Sequence, residues 1–93
     1  MKYFAYIVLL TFLIAEPDIV LKGTVLNQKN GKPIPLVNVY DSNSKIGEIT
    51  DSKGKFSIIL KDQKTSNLTF SHIAFNNYHQ NFDTSQSDLI IEM

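Results

Sequence analysis

The sequence contains no cysteine and no arginine, and its longest apolar run is short. Each absence excludes something. Without cysteine, no disulfide can hold a small domain together and no thiol can carry a lipid after processing. Without arginine, all nine basic residues are lysines, and nine acids balance them to a net charge of zero. Lysines dispersed over a neutral chain give no electrostatic footprint for nucleic acid. The apolar run, residues 4–15, is broken only by Thr11 and is twelve residues long. A membrane-spanning helix needs about 20.

That run has another use. Met1, Lys2 and Tyr3 make a short positive start before it, and Glu16, Pro17 and Asp18 follow it as a polar, helix-breaking stretch. A charged start, an apolar stretch of about 7–15 residues and a small residue at its end describe a secretory signal peptide. Residues 1–15 are read as that peptide. Ala15 fits the cleavage point, although Leu13 two positions earlier does not help it. The run shows no polar face at helical spacing, which argues against a first helix of the fold. Residues 16–93 then form one small domain with eight lysines against nine acids, a net charge of −1. The expected location is outside the cytoplasm: periplasm, outer membrane or cell surface, with no transmembrane anchor left after processing.

The rest of the chain alternates and turns. Ile19, Leu21, Gly23 and Val25 share one face of a first strand over residues 19–27. Asn30-Gly31 lies in the polar connector that follows, and Val37 and Val39 face inward from a second strand over residues 36–41. A turn at residues 41–44 leads to a third strand over 45–50, and Asp51, Ser52, Lys53 and Gly54 reverse the chain. Phe56, Ile58 and Leu60 then alternate cleanly. After a polar loop over residues 62–67, Leu68 and Phe70 open a fifth strand. Tyr78 and Phe82 mark a sixth, beyond a break expected at Asn76-Asn77, and residues 89–93 make a seventh. Seven short strands with regular turn signals predict an all-β sandwich. Phe56 is expected in its core, beside Ile58, Leu68, Phe70 and Leu89.

Four segments resemble the carboxypeptidase-D regulatory-like family. They are Lys22-Gly23-Thr24-Val25; residues 31–40, from Gly31-Lys32-Pro33 to Val39-Tyr40; residues 47–56, with Gly47, Thr50-Asp51, Gly54 and Phe56; and residues 68–75, Leu68 to Phe75. The resemblance implies a seven-stranded transthyretin-like (prealbumin-like) sandwich, with Gly23, Thr50, Asp51, Gly54 and Phe56 as its fold motif. Ala74 replaces a frequent glycine, so the backbone there must avoid positive φ. Phe75 replaces a frequent tyrosine, and Val37 a smaller residue.

The resemblance also implies a setting. Such domains extend the N-termini of TonB-dependent outer-membrane receptors, follow metallopeptidase domains or sit within surface proteins. The function expected here is therefore a non-catalytic interaction or structural module of the cell envelope, a detached or truncated receptor extension being one form of it. Its partner would be another envelope protein or domain. The alternative is carbohydrate binding, with Tyr40 and Tyr78 as the exposed aromatics.

Chemistry finds little footing in these residues, and no cofactor or metal is expected. One carboxylate at Asp51, between lysines 53 and 55, is a poor start for calcium, which takes about 6–8 oxygen ligands. The reading preferred is that Asp51 accepts hydrogen bonds from turn amides while Gly54 takes positive φ. His72 and His79 lack further zinc ligands at short spacing. Together with Tyr40 and Tyr78 they are the residue types that bind iron in intradiol dioxygenases, which the chain resembles in nothing else. Hydroxyisourate hydrolases of transthyretin-like fold use an arginine and a C-terminal Tyr-Arg-Gly-Ser, and this sequence has neither. Ser71 cannot use the adjacent His72 as a base, because neighbours on a strand point to opposite faces.

Overall fold

The computed structural model describes residues 18–61 and 64–93; the signal-peptide reading of residues 1–15 lies outside them. Seven strands follow in order: β1 (Asp18–Leu26), β2 (Asn38–Asp41), β3 (Ile46–Ile49), β4 (Lys55–Lys61), β5 (Thr65–His72), β6 (Phe75–Asp83) and β7 (Leu89–Glu92). They form two sheets, one ordered β4-β1-β7 and the other β3-β2-β5-β6. All pairings are antiparallel except β1 with β7. The expected seven-stranded sandwich is what the chain forms.

Alternation builds the core. Leu21, Val25, Phe56, Ile58, Leu60, Leu89 and Ile91 point inward from the first sheet; Val39, Leu68, Phe70 and Phe82 answer from the second. Phe70 is the hub. Its ring meets Phe56 edge-on at 5.7 Å, Phe82 edge-on at 6.5 Å and Tyr78 at 6.0 Å with a tilt. Such edge contacts add to what burial of the rings contributes.

Three local expectations need correction. The second strand begins at Asn38, because Leu36 sits in the left-handed region at φ 60°, where a strand cannot continue. The fifth begins earlier, at Thr65, since Ser66 is fully buried and pairs with Phe82. The tight reversal expected at residues 51–54 is present and carries the chain from one sheet to the other.

Asn76-Asn77 does not end the strand but interrupts its pairing: β6 continues through both as a bulge opposite Ser71, and the turn lies at Ile73-Ala74. Neither turn residue has positive φ, so the loop is not a mirror-image hairpin turn; a register shift between Phe70 and His72 absorbs the mismatch. His72 Nδ1 accepts the Ala74 amide at 3.0 Å and secures the bend.

Candidate interaction site

The motif residues converge where the two sheets meet. Gly23 pairs with Phe56, and a Cβ on Gly23 would lie 2.6 Å from the ring's Cζ and 2.8 Å from the Leu89 carbonyl oxygen. The ring therefore occupies the space a side chain would take. Thr50 is buried, with its hydroxyl donating to the Ile34 carbonyl at 2.8 Å and accepting the Val37 amide at 2.9 Å. Its backbone adds bonds to Leu36 and Val37. One threonine thus fastens the irregular 34–37 segment that admits Leu36 at positive φ.

Asp51 Oδ1 accepts the amides of Lys53 and Lys55, each at 2.9 Å. The Lys55 amide chiefly holds its carboxyl below the ordinary value of 3.8; partial desolvation opposes this, and the Lys53 amide and the two lysine charges assist. Gly54 has φ 72°, and a Cβ there would lie 2.6 Å from the Val25 carbonyl oxygen. That closeness is functional for the fold, since the Gly54 carbonyl accepts the Val25 amide at 2.8 Å. No group of three or more metal-ligating side chains occurs among the described residues.

A polar knot at the opposite end was not singled out from sequence. Asp41 is fully buried. Its Oδ1 accepts Ser66 Oγ at 2.7 Å and the Asn67 amide at 3.2 Å; its Oδ2 accepts Ser44 Oγ at 2.6 Å and the Ser44 amide at 2.8 Å. The signal was present: Val37, Val39 and Asp41 share a parity, so the strand that buries the valines must also bury the aspartate.

The two tyrosines do not share a surface. Tyr40 is exposed on the outer face of the second sheet, its ring beside Gly47. Tyr78 pairs with Phe70 and so lies on the inner face, half-buried against the core. The histidines are likewise apart: His79 pairs with Thr69 on the outer face and shares a 2.9 Å hydrogen bond with its hydroxyl, while His72 stacks edge-on with Phe75 at the hairpin. The geometry therefore brings no tyrosine–histidine set together.

Tyr78 instead lines an open cleft of about 620 Å³ between the β5–β6 hairpin and the ends of β1 and β7. The hairpin contributes Ile73 and Phe75 and the amides of Asn76 and Asn77; Gln28 faces them from the β1 side. Ile73 stands fully in solvent at the tip, with a relative exposure of 102%. Sequence reading missed it because Ile73 and Ala74 carry no turn signal.

Comparison with known proteins gives one result of weight. The CarboxypepD_reg-like domain model matches residues 21–93, spanning β1 to β7 and every residue of the fold motif. No curated protein matches the chain.

Proposed function

The chain belongs to the CarboxypepD_reg-like domain family, and on that premise we propose that it is a non-catalytic contact module of the cell envelope. Domains of this family are regulatory or structural β-sandwiches. The finer reading is that the module is exported and docks on another envelope protein, an outer-membrane receptor of the TonB-dependent kind being the favoured class. The positive start and twelve-residue apolar run support export. The observation that carries docking is Ile73, held in solvent beside a cleft lined by aromatic, amide and charged residues, Lys29 and Glu92 among them.

The test is photo-crosslinking in the native cell from a probe placed at Ile73, with a control probe at Asn43 in the β2–β3 turn at the other end of the sandwich. A discrete adduct with an envelope protein from position 73, and none from 43, is the expected result. Equal labelling from both positions, or recovery of the protein in the cytosol with Met1 intact, would end the proposal.

Carbohydrate binding is kept as a second reading on one observation. The Tyr40 ring lies open over Gly47 beside Asn38, a flat aromatic surface with a polar neighbour. Loss of glycan retention in Tyr40→Ala but not in Tyr78→Ala is its expected signature.

A further inference from the structure

Among the described residues four strands have an unpaired side: β4 and β7 in one sheet, β3 and β6 in the other. Proteins usually keep such edges short, charged or interrupted by proline, because free backbone amides and carbonyls recruit other strands. β3 and β7 are four residues long and carry Glu48 and Glu92; β4 carries Lys55 and Lys61 at its ends. β6 has none of these, and its one irregularity, the bulge at Asn76-Asn77, leaves Tyr78 to Asp83 regular. It is nine residues long, has no lysine or proline, and its one carboxylate, Asp83, is its last residue. From Asn76 to Asn81 only Tyr78 is not fully classed as exposed.

Reversed about His79, β6 repeats only Asn at 77 and 81 and sets Asn76 against Phe82, but it brings no two like charges together. An antiparallel pairing of two β6 strands across a two-fold axis at His79 sets Tyr78 opposite Gln80 and Asn77 opposite Asn81, each twice. Asn77, His79 and Asn81 share the outer face, where amide meets amide. Tyr78 and Gln80 share the inner one, and the Tyr78 hydroxyl already donates to Gln80 Oε1 within a single strand. Asp83 falls opposite Phe75, so the two carboxylates end up at opposite ends and no like charges meet.

We propose that β6 pairs with β6 of a second copy of this chain, joining two four-stranded sheets into one of eight. An uncharged edge that meets itself without like charges suits a copy better than a charged partner. The pairing shares Asn77 and Tyr78 with the cleft of the docking reading, while the Ile73 tip lies outside it.

The test is the association state of the protein as purified from cells, followed by sedimentation over a dilution series, with melting curves to show that each variant is folded. The native protein should be a dimer that dissociates on dilution. His79→Lys sets two ammonium groups face to face at the axis and should weaken the dimer about fivefold or more. The double variant N77K/N81E sets an ammonium opposite a carboxylate twice and should tighten it about two- to thirty-fold. A native protein that stays monomeric at the highest concentration overturns the proposal, whether or not another protein occupies the edge. So does a dimer that both changes leave equally tight. If His79→Lys does not fold, N77K/N81E decides alone.

Discussion

Gly23→Ala tests the contact on which the sandwich closes. The added methyl would sit 2.6 and 2.7 Å from ring atoms of Phe56 and 2.8 Å from the Leu89 carbonyl oxygen. Real Cβ atoms do not approach so closely, so either the ring or β7 must move. Both belong to the packed interior: Phe56 is 4% and Leu89 7% exposed. Overpacking of this kind costs about 1–3 kcal/mol. In a domain of this size each kcal/mol lowers Tm by about 4–8 °C. Phe56→Leu removes the two ring atoms nearest the new methyl, at a cost of about 1–2 kcal/mol for the lost apolar contact. If the ring causes the strain, Gly23→Ala should be clearly cheaper in the Phe56→Leu background, with the remainder reporting the Leu89 carbonyl. Thermal melts of the four proteins, followed by far-ultraviolet circular dichroism, give the coupling directly. An equal Tm loss in both backgrounds, or no loss at all, would refute the claim that Phe56 fills the space above Gly23.

Thr50→Val keeps the shape of a buried side chain but leaves the Ile34 carbonyl and the Val37 amide without its hydroxyl; a loss of about 1–3 kcal/mol is expected in urea unfolding. Gly54→Val combines a β-branched residue at φ 72° with a clash against the Val25 carbonyl, so a cost of about 2–6 kcal/mol should appear in the same assay, whereas Asp51→Asn, which keeps an acceptor, should be mild at neutral pH. Because the Asp51 pKa is lower folded than unfolded, its contribution is complete above the ordinary value of 3.8 and fades as pH falls through the lower folded value. Acid titration of Asp51→Asn should therefore lack that part of the wild-type decline, and an unchanged acid profile would count against the Lys53 and Lys55 hydrogen bonds.

Regular alternation was legible because it reports a face. Phe56, Ile58 and Leu60 define β4 with no further information, and all three are buried. Two features escaped for a common reason: their cause lies in another segment. Leu36 adopts positive φ because Thr50, fourteen positions on, holds the chain around it. Asn76-Asn77 reads as a break and is instead a bulge, two residues opposite Ser71 of β5 while the strand continues on either side. The β5–β6 turn itself is secured by an imidazole at His72 instead of by glycine. The cleft is illegible in the same way, because it exists only once the hairpin tip and the ends of β1 and β7 come together.

The parallel pairing of β1 with β7 has a consequence for how the molecule comes into being. β1 emerges first from the ribosome, yet the stretch from Gly23 to Leu26 waits for Leu89 to Glu92 before that side is covered. Its other side waits for β4. Contacts this distant in sequence are slow to form, since the intervening chain must first be closed into a loop. During that interval half of the central strand is bare backbone, open to chaperones and still threadable. If the chain is exported as proposed, late closure would keep it threadable until passage is complete.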